Sequence, residues 1–163
     1  MNEATALPKD GVEPNYHADF AVGEHSARHL RHILRLYLTG WDLCEVADAA
    51  ELALTELIAN VVRHVPGRRC QTFIFLLPGR GVRVEVADGF RQLPCVATGD
   101  DELGEGGRGL LLVDALTDGW GVEPRRDGTG KTVWFECLAA KAADRPEGTW
   151  LSGRNGAPRA PHP

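Results

Sequence analysis

The stretch that decides the fold lies at residues 51–64, where the sequence reads ELALTELIANVVRH. Residues three and four apart on an α-helix share one face. Glu56, Asn60 and His64 are spaced four apart and therefore lie along one polar edge. Apolar side chains recur at helical spacing through this stretch and its flanks, which predicts a long helix with one buried face. The predicted buried residues are Leu43, Val46, Ala47, Ala50, Leu54, Leu57, Ile58, Val61 and Val65.

The polar edge of this helix carries groups that are suited to chemistry. A carboxylate at Glu56 and a carboxamide at Asn60, one turn apart, could orient a water or hydroxyl and hold a hard cation. Mg²⁺ takes few direct protein ligands and leaves room for phosphate oxygens, so a single asparagine can serve. The alternative is that both residues are solvated positions at the edge of an amphipathic helix.

Three segments downstream extend the pattern. Residues 82–87 alternate apolar and polar like a half-buried strand, which ends in Asp88. Residues 104–109 read GEGGRG and open directly onto the apolar helical run 110–116. A glycine turn then precedes the strand-like segment 131–137. The order is a long helix, a strand ending in Asp, a glycine-rich loop into a helix, and a glycine turn into a strand.

The remaining elements follow from turn and periodicity signals. Residues 15–22 predict an edge strand and residues 24–37 a first helix. Asp42 is a good N-cap for the long helix. Residues 71–77 and 82–87 flank the sequence PGRG, which is a hairpin signal. Together these elements predict an α+β fold, a two-layer sandwich of a mixed, largely antiparallel sheet with helices on one face.

Over residues 14–138 this order resembles the GHKL ATPase fold of gyrase and sensor histidine kinases. More narrowly, it is similar to the small stand-alone bacterial serine kinases that act as anti-sigma factors. The resemblance implies that the chain binds ATP with Mg²⁺. It also implies a protein partner, either an anti-sigma-factor antagonist, a sigma factor or both, and it leaves a homodimer open.

The resemblance assigns roles to the helix residues. Glu56 falls at the position of the catalytic base, which would accept the proton of a partner's serine hydroxyl or of water. Asn60 falls at the magnesium position. His64 would line the phosphate side of the nucleotide, and a satisfied histidine at a helix end is the alternative.

The downstream segments receive roles in the same way. Asp88 matches the aspartate that accepts a hydrogen bond from the adenine amino group and so selects adenine over guanine, and Thr132 would lie near that adenine. The second glycine box would meet the triphosphate with backbone N–H groups at a helix N-terminus. Within the box, Arg108 would either contact phosphate or cap the lid, which is the acidic and polar loop predicted over residues 90–105. The box consists of Gly107, Arg108, Gly109 and Leu110.

Two departures from the family pattern keep a second function open. The first box of the family reads Asp-x-Gly-x-Gly, whereas residues 88–92 read DGFRQ and lack both glycines. Some members carry Arg in the lid, where this chain has Glu102 and Glu105. The retained Glu56 and Asn60 favour a serine/threonine kinase that phosphorylates an anti-sigma-factor antagonist. The departures favour a non-catalytic ATP-binding regulatory module that sequesters a sigma factor or antagonist.

Composition argues against other classes. The 163 residues carry a formal net charge of −5, and direct nucleic-acid binding usually requires a basic face. No apolar run approaches the roughly 20 residues of a membrane helix, and the N-terminus lacks the apolar run of a signal peptide, so we expect a cytoplasmic protein. The four cysteines are widely spaced, which favours reduced structural thiols. Residues 1–13 predict a flexible leader and residues 139–163 a disordered tail.

Three other interpretations of the sequence have weaker support. A detached ATP domain of a histidine kinase is disfavoured because no phospho-acceptor helix is predicted before residue 14. The glycine spacing of residues 104–109 imitates the dinucleotide-binding fingerprint, but an acidic loop precedes it where that motif needs a strand. His25, His29 and His32 lie at helical spacing, and a surface stripe is favoured because a metal site needs three or more convergent ligands.

Overall fold

The computed structural model describes residues 12–92 and 108–140. Most of the predicted leader, tail and lid lie outside these ranges, including Cys95, Glu102 and Glu105, and so does Gly107 of the second glycine box. The described helices and strands are β1 (Tyr16–Ala21), α1 (Ser26–Gly40), α2 (Ala47–His64), β2 (Arg69–Leu77), β3 (Gly81–Asp88), α3 (Arg108–Leu116), β4 (Gly119–Pro124) and β5 (Lys131–Leu138). Short 3₁₀ turns at Cys44–Val46 and Pro66–Arg68 lead into α2 and β2.

The five strands form one sheet in the order β1-β2-β3-β5-β4, and each of its four pairings is antiparallel. β2 and β3 form the predicted hairpin, where Gly79 and Arg80 adopt φ angles of 81° and 69°. Short hairpin connections favour such positive φ angles because they match the twist of the strands. The register of β3 and β5 places Asp88 directly opposite Lys131. The predicted α+β fold is confirmed.

The long helix α2 packs on the sheet against β3 and β5 and also contacts α1 and α3. All nine apolar residues predicted for its buried face are buried. On the sheet side, the core includes Val84 paired with Phe135 and Val86 paired with Val133. Burying one such side chain contributes about 1.5–3 kcal/mol, so this layer holds α2 in place. Among the described helices, none is both long and apolar enough to cross a membrane.

The opposite face of the sheet carries a second, smaller set of contacts. Phe73, Phe75 and Ala87 form a separate buried apolar cluster there, and the guanidinium of Arg83 lies 4.1 Å from the ring centroid of Trp134. Side chains alternate between the two faces along a strand. A residue of β5 therefore faces either the helices or this second cluster, according to its position in the register.

The long helix begins later than predicted. Asp42 adopts a φ of 58°, and α2 starts at Ala47 without a side-chain cap. The Leu43 N–H donates to the Leu38 carbonyl at 2.8 Å, and a left-handed residue followed by such a bond is a common way to end a helix. Asp42 therefore ends α1, and its prediction as the N-cap of the long helix was wrong.

Candidate functional site

The candidate catalytic base lies where α2 meets α3. Glu56 is half-buried on α2, and Gly109, the second residue of α3, packs against its carboxylate. A Cβ built on Gly109 would lie 2.7 Å from Glu56 Oε2, which is closer than a carbon atom can approach. A side chain at position 109 would therefore require the Glu56 carboxylate, the end of a flexible side chain, to shift from its present position. The helix motif and the second glycine box meet at this point.

Asn60, one turn after Glu56, is only 8% exposed. Its Oδ1 and Nδ2 atoms have no hydrogen-bond partner within residues 12–92 and 108–140. A buried polar group left unsatisfied costs about 1–3 kcal/mol, so an unpartnered amide beside Glu56 points to a ligand. An amide oxygen is a suitable ligand for Mg²⁺, which completes its coordination with phosphate oxygens and water. Asn60 therefore fits the role of a magnesium ligand.

The other predicted phosphate-side residues are placed less specifically. Arg108 is exposed at the first position of α3, and Leu110 is fully buried in the core, so Leu110 can face a phosphate only through its backbone. His64 is exposed in the last turn of α2, and both interpretations of this histidine stay open. Gly107 lies outside the described residues.

A buried ion pair occupies the ends of β3 and β5. Asp88 Oδ1 accepts hydrogen bonds from the Phe90 N–H at 2.8 Å and from Lys131 Nζ at 3.0 Å. Lys131 Nζ also donates to the Phe90 carbonyl at 3.0 Å. The side chains of Lys131 and Asp88 are 6% and 4% exposed. The candidate adenine-binding aspartate is therefore already fixed by two donors.

Gly130 makes this arrangement possible. A Cβ built on Gly130 would lie 1.8 Å from the Asp88 carbonyl oxygen and 2.8 Å from Gly89 Cα. These neighbours are backbone atoms, which cannot rotate away as a side chain can. Only glycine therefore lets the turn before β5 close onto the end of β3.

Thr132 does not face Asp88. It is paired with Ala87, which belongs to the cluster on the far face of the sheet, and cross-strand partners point to the same face. The expectation that the Thr132 side chain lies near the adenine is therefore corrected. Lys131 is the β5 side chain on the same face of the sheet as Asp88. Lys131 was not predicted as a site residue, although an antiparallel pairing of strands 82–88 and 131–137 that aligns their ends places it opposite Asp88.

A buried thiol lies next to the ion pair. Cys70 is opposite Asp88 in the β2–β3 register, and burial, with a smaller contribution from the Asp88 charge, raises the pKa of the Cys70 thiol to about 11. Burial likewise raises the pKa of Cys137 to about 12. Both thiols are free and stay protonated at neutral pH, as expected for structural cysteines. Asp88 itself is buried beside Cys70.

Comparison with protein families identifies the domain. The family model for the histidine kinase-like ATPase domain matches residues 21–137, a range that contains each site residue described above. The chain belongs to this family. Membership of a histidine kinase-like ATPase domain family implies that the chain binds ATP. The comparison with curated proteins found no match.

Among solved structures, this histidine kinase-like ATPase domain is similar to one chain in the crystal structure of the SiaB–SiaC complex from Pseudomonas aeruginosa. The two chains are 12% identical, the similarity covers 77% of this chain and 89% of that chain, and the TM-score is 0.51. At this level of identity the similarity supports the fold and carries no residue roles.

Proposed function

We propose that the protein binds Mg²⁺ and ATP and acts as a serine/threonine kinase on an anti-sigma-factor antagonist. The observation that carries the proposal is the contact of Gly109 with Glu56, one turn from the buried and unpartnered Asn60. In this arrangement a carboxylate, a candidate metal ligand and the N-terminus of α3 lie close together, which supports the proposal. Phosphoryl transfer depends mainly on positioning and charge stabilisation by groups of this kind.

Three groups on the phosphate side of the site have proposed roles. Asn60 would hold Mg²⁺ through its side-chain oxygen, and the metal would supply charge neutralisation at the phosphate oxygens. The backbone N–H groups at the start of α3 face the same phosphates, where the helix dipole favours negative charge. Glu56 accepts the proton of the partner's serine hydroxyl as that oxygen attacks the γ-phosphorus. The bond from the γ-phosphorus to the bridging oxygen breaks, and ADP leaves with its electron pair.

The adenine side of the site supplies recognition of the nucleotide. Asp88 accepts a hydrogen bond from the 6-amino group of adenine, for which it has one oxygen beyond the Oδ1 that Phe90 and Lys131 already occupy. The same carboxylate would repel the carbonyl oxygen that guanine carries there. We therefore expect a preference for ATP and ADP over guanine nucleotides.

The proposed partner is another protein. The similar solved structure is that of the SiaB–SiaC complex, which supports a protein partner for this chain without identifying it. An antagonist of an anti-sigma factor, or a sigma factor itself, fits the family resemblance. We propose that the protein meets its partner in the cytoplasm and does not contact nucleic acid directly. That the chain forms a homodimer stays a prediction.

A second function is favoured by the chain after Asp88. Phe90 stands where the family has the first of two glycines, and it is held by hydrogen bonds to Asp88 and Lys131 and packs partly against the core. The backbone after Asp88 therefore follows a path that accommodates the bulky side chain of Phe90. This departure favours a module that binds ATP and sequesters its partner without transferring phosphate.

One experiment separates the two functions. The protein is incubated with ATP, Mg²⁺ and a candidate antagonist, and the antagonist is analysed by mass spectrometry for a phosphorylated serine or threonine. Phosphate on the antagonist that requires both ATP and Mg²⁺ supports the kinase. ATP-dependent binding of the antagonist without phosphate supports the sequestering module, and an absence of nucleotide binding contradicts both.

A further inference from the structure

The buried pair of Lys131 and Asp88 calls for an explanation beyond folding. Removing two charges from water is costly, and an apolar pair of similar size is often at least as stable. A charged pair buried at the end of two strands, next to a predicted nucleobase site, is therefore a candidate for recognition.

The hydrogen bonds of the pair leave specific atoms available. A lysine ammonium has three N–H donors, and two of them go to Asp88 Oδ1 and the Phe90 carbonyl. Asp88 Oδ1 takes two donors, whereas no described residue donates to Oδ2. Lys131 and Asp88 thus hold one free donor and one free acceptor on adjacent side chains.

We propose that Lys131 contacts the nucleobase directly, with its third N–H donating to N1 of adenine while Asp88 Oδ2 accepts from the 6-amino group. This inference rests on the proposed function, in which the site binds ATP. Adenine presents a donor and an acceptor side by side on this edge, and the pair presents the complementary acceptor and donor. Guanine in the same orientation presents a carbonyl oxygen to Asp88 and an N–H to Lys131, so both contacts are mismatched.

Phe90 holds Lys131 in position for this contact. Its carbonyl accepts from Nζ, and its ring centroid lies 5.4 Å from the same atom, which is within the range of a cation–π interaction. The ammonium is therefore fixed on the protein side by Asp88 Oδ1, by a carbonyl and by an aromatic ring. The residue that replaces a family glycine thus acts in orienting the nucleobase donor.

The test uses two ATP analogues in isothermal titration calorimetry with the full chain. 1-Deaza-ATP lacks the N1 acceptor, and 7-deaza-ATP, the control, lacks an acceptor on the other ring. We expect wild type to bind 1-deaza-ATP about tenfold or more weakly than ATP, as the loss of a hydrogen bond to a charged group predicts. The Lys131→Met variant should bind ATP and 1-deaza-ATP equally, and Lys131→Gln, which keeps an N–H donor, should recover part of the difference.

A second measurement needs no substitution of the pair. The chain has three lysines, at positions 9, 131 and 141, so the side-chain ammonium of Lys131 can be followed by ¹⁵N NMR in wild type. Its signal should shift with ATP and shift differently with 1-deaza-ATP. This NMR measurement tests the contact of Lys131 with N1 even if Lys131→Met does not fold.

The outcomes separate the inference from the function on which it rests. If wild type binds no adenine nucleotide, the proposed function fails and the Lys131 contact fails with it. If wild type binds ATP and 1-deaza-ATP equally, or if Lys131→Met retains the full difference, ATP binding stands and the contact of Lys131 with N1 is wrong.

Discussion

The two ends of the site differ in how their polar groups are satisfied before a ligand binds. At the strand end, Asp88 and Lys131 are bonded to each other and to the backbone of Phe90. At the helix end, the Asn60 amide is buried without a partner in the described residues, and Glu56 faces a glycine. The folded state should therefore depend more on the polar groups of the strand end than on those of the helix end.

The largest expected effect is on catalysis at the helix end. Glu56→Gln should lower phosphoryl transfer to the antagonist by about 10²–10⁴-fold, the usual loss on removing a general base. ATP affinity and the free energy of unfolding should stay close to wild type, because the amide has the same size against Gly109. The measurement is single-turnover phosphorylation of the antagonist.

A matched control lies on the same helix. Glu51→Gln makes the same chemical change at a residue that pairs with Arg35 of α1, away from Gly109. It should transfer phosphate at the wild-type rate. A wild-type rate in Glu56→Gln, or an equal loss in both variants, would falsify the assignment of Glu56 as the base.

The second effect is on folding at the strand end. Gly130→Ala places a methyl group where the Asp88 carbonyl oxygen lies 1.8 Å away, so the ends of β3 and β5 must separate. We expect the free energy of unfolding to fall by about 3 kcal/mol, at the upper end of ordinary overpacking. Gly40→Ala is the control, because no atom lies within 4 Å of its added Cβ. Urea denaturation that finds both variants equally stable would contradict the close approach.

The third prediction breaks the ion pair itself. Asp88→Asn leaves the buried Lys131 ammonium without its counter-charge, which should lower the free energy of unfolding by about 3 kcal/mol and weaken ATP binding by about 1–3 kcal/mol. Asp19→Asn is the control, since its pair with Arg69 is exposed and should be worth under about 1 kcal/mol. Thermal unfolding and calorimetric titration measure the two effects. An Asp88→Asn protein as stable as Asp19→Asn would remove the contrast between the two ends of the site.

The smallest effect on folding is expected at Asn60. Asn60→Ala removes a buried amide that has no partner in the described residues, and the relief of that cost, about 1–3 kcal/mol, offsets the lost packing, so the free energy of unfolding without ligand should not fall. The rise in melting temperature that ATP gives in the presence of Mg²⁺ should lose its magnesium dependence. Asn15→Ala offers the opposite case, because Asn15 Oδ1 accepts from the Leu76 N–H at 2.8 Å. Asn15→Ala should destabilise the fold and keep the magnesium dependence. If Asn60→Ala keeps the magnesium dependence, Asn60 is not the metal ligand.

Much of the fold could be predicted from local sequence. The helical spacing around residues 51–64 predicted nine buried positions, and the structure buries each of them. The PGRG hairpin and the strand that ends in Asp88 are also present. The start of α2 was missed because Asp42 has the residue type of an N-cap, whereas its backbone conformation is set by the end of α1.

The sequence by itself determined the periodicity of each element, because helical and strand spacing depend on residues a few positions apart. Tertiary structure alone decided which elements meet. Lys131 bonds to an aspartate 43 residues earlier in the chain, and a register shift of one residue would have placed Thr132 there instead. The approach of Gly109 to Glu56 likewise depends on how α3 packs against α2. Such contacts are set by the packing of distant segments, which local residue patterns do not encode.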